Sequence, residues 1–346
     1  MSPAKKTKLN IASVAVLALF LWFAQNFLDG YSIQILNLIA INIILALSLN
    51  LIYGFTGMFS LGHAGFMAIG AYVCAILIMT PDQKDSLFIL QKAYPWIQNA
   101  EAPFIVAVIA GGLVATLTGL LVGIPLLRLG DDYLGIATLG FAEIIRVLAN
   151  NIPRVTNGAL GFKGIPDYAN LWWNFGWCVL TLYCIVRIIN SNFGNTLMAI
   201  RDDETAAKAM GVNVFRGKLL SFAIGSFFAG VGGALLASLL TTIDPKMFLF
   251  TLTFNVLMIV VTGGLGSLTG SILGSVGITV MMEWLRFVEN PIYLGSFEIQ
   301  GVPGMRMVVF SLALMLVILF RREGLMGMRE FNWDWLLGRF GRRGKV

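Results

Sequence analysis

The feature that most constrains this chain is a succession of apolar runs, each close to 20 residues long. They lie at roughly 9–28, 33–53, 62–80, 103–127, 133–150, 171–190, 218–242, 248–264, 267–288 and 303–320. A helix needs about 20 apolar residues to cross the hydrocarbon of a bilayer. A spanning segment must also satisfy its own backbone hydrogen bonds, which favours helices over irregular chain. The expected fold is therefore all-α: a polytopic transmembrane helical bundle of about ten spans. Composition agrees, because 58% of residues are hydrophobic and only 12% charged, about half the usual charge of a soluble domain.

Charge placement sets an orientation. Lys5, Lys6 and Lys8 precede the first run, and Arg321, Arg322, Arg329, Arg339, Arg342, Arg343 and Lys345 follow the last. The positive-inside rule puts both ends in the cytoplasm, which requires an even number of crossings. The loop 191–217, with Arg201, Lys208 and Arg216, then also falls inside. The segment 81–102 has no positive bias and falls outside. The run from Leu9 to Phe27 is too long for a signal-peptide core and no A-x-A site follows it, so an uncleaved first helix is expected. The anticipated organisation is an N-terminal helix at 1–28, a transmembrane body at 29–320 and a basic cytoplasmic tail at 321–346. The tail, FNWDWLLGRFGRRGKV, suits either a helix in the headgroup layer or a frayed end.

Several chemistries are excluded. The +6 net charge sits at the chain ends and beside spans, a membrane pattern and not a nucleic-acid footprint. Cys74, Cys178 and Cys184 lie in apolar runs and suggest no disulfide framework. There is one histidine, His63, no cluster with metal-ligand spacing and no Ser/His/Asp set with credible spacing. No G-x-x-x-x-G-K-[ST] occurs, so ATP, if it is the fuel, must be bound by a partner. The chain reads as a conduit and not as an enzyme, with no cofactor of its own.

One polar stretch stands apart. AIRDDETAAKAMGVNVFRGKL, from Ala199 to Leu219, gathers seven charges. Asp202 is placed to cap a helix, Asp203 and Glu204 fall in the first turn, Lys208 in the last, and Gly211 at the stop. A short cytoplasmic helix over about 202–210 follows, with Ala206, Ala207 and Met210 as a small apolar face. It is either a docking peg for another protein or an ordinary solvated loop helix.

A second feature breaks the grease: GFTGMFSLGHAGF, with Gly54, Gly57, Ser60, Gly62, His63 and Gly65. It is either a discontinuous segment on a translocation path or a tight cytoplasmic turn. His63 there is a structural hydrogen-bonding residue more readily than a ligand or proton carrier. GMFSLG at 57–62 and GLGSLT at 264–269 align through Gly57/Gly264, Ser60/Ser267 and Leu61/Leu268. Glu143–Arg146 and Glu283–Arg286 are likewise matched i,i+3 pairs, lining a pore, touching a subunit, or holding a membrane face. Such echoes suit a transporter built of two halves, inverted or parallel. Gly266, Gly270 and Gly274, four apart, are expected to form one helix-packing ridge.

ETAAKAMG resembles the EAA-type coupling element of ABC importer permeases. AIRDDETAAKAMGVN…KLLSFAIGSFFAGVGGALLA resembles the permease subunit of branched-chain amino acid ABC importers (the LivM type). NLIYGFTGMFSLGHAGFMAIGAY (50–72), LGFAEIIRVLANN (139–151), TNGALGFKGIP (156–166) and VTGGLGSLTGSILG (261–274) match further family signatures. In the third, Asn157-Gly158 stands where the family usually has a glycine pair. The resemblance implies that Arg201, Asp202, Asp203, Glu204, Ala206, Ala207 and Gly211 form the element that docks on an ATPase. It also implies a homologous second permease, two ATPase subunits that bind the ATP, a periplasmic amino-acid-binding protein, and the bacterial inner membrane. The cargo would be leucine, isoleucine or valine. A sister permease for urea or short amides and an ion-coupled secondary transporter remain alternatives.

Overall fold

The structure is a computed structural model. It describes residues 3–88, 91–128, 131–286, 292–294, 297–299, 304–320, 324–327 and 329–330. The proposed headgroup-layer tail at 331–346 lies outside the described residues.

The helices run in chain order as α1 (Pro3–Phe27), α2 (Gly30–Asn50), α3 (His63–Ile78), α4 (Pro81–Leu87), α5 (Pro95–Gln98), α6 (Phe104–Leu126), α7 (Asp131–Asn151) and α8 (Pro153–Thr156), followed by α9 (Leu171–Ile189), α10 (Asn192–Asp202), α11 (Glu204–Ala209), α12 (Val214–Leu240), α13 (Phe250–Gly263), α14 (Leu268–Trp284) and α15 (Met305–Phe320). A π turn, Leu51–Phe55, extends α2. Each apolar run read from the sequence carries a helix. By length and hydropathy, five helices among the described residues can cross a membrane, or six if the bent pair His63–Ile78 and Pro81–Leu87 counts as one; Ala12–Phe27 and Phe250–Gly263 are shorter apolar helices. An all-α membrane architecture is thus present, and the length criterion stops short of the ten crossings expected.

Packing separates inner from outer helices. The apolar windows of α2 and α12 are 78% and 72% buried, against 33% for α6, α7 and α9. The outer face of α6 shows Leu113, Leu117 and Leu121 to the surroundings, as a lipid-facing surface should. At the centre, glycines let α3, α6 and α12 approach backbone to backbone. A Cβ on Gly70 would fall on the Gly230 carbonyl, and one on Gly111 would lie 2.9 Å from Gly70 O. Without a hydrophobic drive between helices in lipid, this close contact is what holds them together.

The two ends of the bundle differ. One end carries a short antiparallel pair, β1 (Phe162–Lys163) with β2 (Thr242–Ile243), over a cluster of Tyr72, Phe162, Phe248 and Phe88. Beside it the buried Lys84 ammonium donates to the Ile97 and Ala100 carbonyls. The other end carries the α10–α11 elbow and the turns at 51–62 and 264–267, and these form the candidate site.

Candidate functional site: an exposed elbow and two broken helices

The loop 191–217 contains more structure than the sequence suggested. α10 begins at a Ser191 cap and buries Leu197 and Ile200. Asp202 is not the N-cap of the following helix; it ends α10 and accepts from Arg201. The cap is Asp203, whose extended backbone (φ −158°, ψ 108°) breaks the two helices apart. Its Oδ1 accepts from the amides of Thr205 and Ala206 at 2.8 and 2.9 Å. At the other end Gly211 adopts φ +84°. Gly211 N–H donates to Lys208 O and Val212 N–H to Ala207 O, both near 3.0 Å, the pattern of a Schellman stop.

The predicted apolar face is divided. Ala207 turns inward and packs with Ile200 and Val214. Ala206 is exposed, and Met210 is 85% exposed at the tip. Glu204 also turns back on its own chain. Its carboxylate bonds Lys208 at 2.8 Å and Lys218 of α12 at 2.6 Å. These two cations, Lys208 first, hold its carboxyl below the usual range. Lys218, 8% exposed, gives no signal in the sequence beyond being, with Arg216, one of two charges at the head of a long apolar helix.

The first break begins where α2 tightens into the π turn. The carbonyl of Leu51 accepts from the hydroxyls of Thr56 and Ser221. Gly57 takes φ +81°, and the chain then runs extended back into the bundle. Thr56, Met58 and Ser60 are buried, while Gly57 and Phe59 are exposed, an alternation proper to extended chain. α3 starts at depth: His63 Nε2 lies 2.8 Å from Ser48 Oγ, two turns or ~10 Å along α2 from the end of the π turn. Ser48 donates its proton to Leu45 O, so His63 donates through Nε2. Gly62, the N-cap of α3, has no side chain to give. Thr253 of α13 supplies the acceptor for Ala64 N–H, and Thr138 of α7 that for Leu61 N–H, each at 2.9 Å. Irregular backbone at this depth survives because neighbouring helices satisfy it. Gly65 faces Ala142 of α7.

The second break is shorter. Gly264 and Gly266 take φ +123° and +77°, and Ser267 caps α14. Glu330 reinforces that cap, accepting from the amides of Leu268 and Thr269. Gly266 therefore does not belong to the predicted glycine ridge: a left-handed residue ahead of the helix cannot share its face. Gly270 and Gly274 do lie against Gly263 of α13. The two breaks meet. A Cβ on Gly54 would collide with Gly266 N, and Asn50 joins them, accepting from Gly266 N–H and donating to Ser267 O and Ser271 Oγ at 2.7–2.9 Å.

The matched ion pairs are formed but are not brought to this junction. Glu143 accepts from Arg146 Nε at 2.9–3.0 Å on the outer face of α7. Glu283 accepts from Arg286 at 3.1 Å and also from Tyr31. Among the described residues no group of His, Cys, Asp and Glu could hold a metal ion.

The family profile described as "Branched-chain amino acid transport system / permease component" matches residues 31–319. The high-affinity branched-chain amino acid transport system permease protein LivM of Escherichia coli K12 is 32% identical over 315 residues, covering 81% of this chain and 69% of that protein. LivM of Salmonella typhimurium is 33% identical over 289 residues, covering 74% of this chain and 64% of that one, so the chain spans about two thirds of the length of these relatives. The permease protein LivH of Salmonella typhimurium is 26% identical over 330 residues, covering 90% and 97%. No solved structure matches. With a match across nearly the whole helical body, the chain belongs to the family of permease components of branched-chain amino acid transport systems.

Proposed function

We propose that this chain is the membrane permease of an ATP-driven importer of leucine, isoleucine and valine in the bacterial inner membrane. Ten helices cross: α1, α2, α3, α6, α7, α9, α12, α13, α14 and α15. Both termini lie in the cytoplasm, with the elbow at 191–217 on the same side. The body at 29–320 follows an N-terminal helix at 1–28 and precedes a basic tail at 321–346. The working assembly pairs it with a homologous second permease, two ATPase subunits that bind the ATP, and a periplasmic amino-acid-binding protein. The likeness of this one chain to both LivM and LivH supports a pairing of homologues.

The observation that carries this reading is α11. It is capped at both ends, clipped to α12 through Glu204–Lys218, and presents Met210 outward at 85% exposure. A rigid helix with an exposed apolar tip suits a groove on a partner. Motion delivered there reaches the bundle because the elbow is fastened to it. The irregular stretch 56–62 and the outer face of α7, with Glu143 and Arg146, then border the path or the second permease; a carboxylate on an outward face is costly against lipid.

Met210→Asp tests the reading. The side chain touches nothing that would unfold, so membrane insertion and thermal stability stay at the unsubstituted level. Co-purification of the ATPases and uptake of labelled leucine are both lost. Retention of the ATPases at the unsubstituted level refutes the docking role of α11.

A further inference from the structure

Arg201 turns back onto the bundle. It sits in the last turn of α10, and its side chain is 19% exposed where that of Asp202 is 68% exposed. Nη1 donates to Gly54 O at 3.2 Å. Nε and Nη2 donate to Asp202 Oδ1 at 3.0 and 2.9 Å. The aliphatic stem covers Gly57, where a Cβ would lie 3.1 Å from Arg201 Cγ, and Nη1 is 3.1 Å from where a Cβ on Gly266 would sit. One side chain from the elbow therefore touches both helix breaks at the point where Gly54 and Gly266 meet.

The junction under it consists of two glycine-broken segments held together by side chains. Gly57, Gly264 and Gly266 hold left-handed backbone that only glycine adopts freely. Asn50 binds the pieces from within and Arg201 from outside. The elbow is stiff, since Asp203 caps α11 and Glu204 binds Lys218. A shift of about 1 Å at Arg201 takes the 3.2 Å contact beyond hydrogen-bond reach.

We propose that Arg201 is a positioning residue that carries movement of the elbow into the Gly54–Gly266 junction, fastening the two breaks in one transport state and releasing them in the other. Coupling of this kind requires a two-state element that both sites bias, and the hinged junction is that element. The inference rests on α11 being the ATPase-docking helix.

The test uses the full assembly in proteoliposomes with its ATPases and binding protein, comparing Arg201→Ala and Arg201→Lys with the unsubstituted protein. Lysine keeps the charge and loses the fork that reaches Gly54 O and Asp202 together. Both variants retain the ATPases on purification and hydrolyse ATP, while L-leucine taken up per ATP falls at least tenfold. Amides of 264–267 exchange faster during ATP turnover in the unsubstituted assembly, and that difference disappears in both variants. Should Arg201→Ala fail to accumulate, Arg201→Lys decides. Unchanged uptake per ATP, or an exchange difference that persists, overturns the proposal. Loss of the ATPases together with uptake also overturns it, making Arg201 a docking residue. Met210→Asp serves as the separate control: if it keeps its ATPases, the docking role of α11 fails independently of how Arg201 behaves.

Discussion

Glu204→Gln isolates the clip that makes the elbow rigid. The carboxylate lies 2.6 Å from Lys218 Nζ and 2.8 Å from Lys208 Nζ. The two contacts differ in worth because their surroundings differ. Lys208 is 62% exposed and i,i+4 from Glu204, a geometry worth about 0.3–0.5 kcal/mol. Lys218 is 8% exposed, and removing a partner from a buried pair costs about 3–5 kcal/mol. Glu204 itself is 34% exposed, so solvent screens the contact, and glutamine still accepts a hydrogen bond. The expected loss lies between the two limits, about 1–2 kcal/mol. Since 1.4 kcal/mol is a factor of ten, amide exchange across 199–217 in nanodiscs should quicken by about 5- to 30-fold. Lys208→Met should change it less than about threefold. The double variant Glu204→Gln/Lys218→Met replaces the buried charge with an apolar chain of similar length and recovers most of the lost protection. Exchange within twofold of the unsubstituted protein in Glu204→Gln would show that the Lys218 contact does not hold the elbow.

Three other perturbations have worked outcomes. The Glu204 carboxyl is held below its ordinary value of 4.5, so its contribution is present above pH 4.5 and is lost as the pH falls through the lower folded value; the protection difference between Glu204→Gln and the unsubstituted protein should be constant well above pH 4.5, shrink as the pH drops below it, and vanish only once the lower folded value has been passed. Gly70→Ala drives a methyl onto the Gly230 carbonyl and should cost about 1–3 kcal/mol of detergent-solubilised thermal stability, whereas Gly176→Ala, with nothing within 4 Å, should be silent. Asn50→Leu strands Gly266 N–H and removes the bonds to Ser267 and Ser271; a loss of about 2–4 kcal/mol is expected in the same assay, with 264–267 losing its exchange protection first.

The helices were legible because period and length report directly on burial in lipid. Apolar runs such as 171–190 and 248–264 lie over α9 and α13 to within two residues at either end. Gly211 was legible for an equally local reason: only glycine takes its left-handed stop without cost. Local pattern places the cap one residue early, at Asp202 where the structure has Asp203. Asp202 and Asp203 are equivalent by side chain, and the choice between them rests on where α10 ends, which depends on Leu197 and Ile200 burying against α12, a tertiary fact. The same holds for Ala207. A six-residue helix has too few positions for its pattern to distinguish the face that docks on its own bundle from the face that meets a partner. Spacing alone puts Gly266 on the ridge with Gly270 and Gly274, but a four-residue repeat carries no information about where the helix begins.

The partners of the breaks were the least legible part of the chain, and for a physical reason. Asn50, Thr138, Thr253, Ser221 and Glu330 each satisfy a donor or acceptor far away in sequence. Thr138, Thr253 and Glu330 belong to no motif, and Asn50 and Ser221 lie in family strings without standing out in them; each is one polar side chain in or beside an apolar run. In water such residues would find solvent and mean little. At membrane depth an unpaired polar group costs several kcal/mol, so a lone serine, threonine or asparagine inside a span bonds either a carbonyl one turn back on its own helix, as Ser226 and Thr181 do, or a group on a neighbour. Asn50 of α2, Thr138 of α7, Ser221 of α12 and Thr253 of α13 take the second course, and they mark where the chain between them stops being helical. They converge on the stretch from Gly54 to Gly65 and on Gly266. Glycine breaks alone would give a chain that bends anywhere, and polar neighbours alone would give a rigid plug. Their combination confines bending to one junction, and the single long side chain that reaches this junction from the exposed elbow is Arg201.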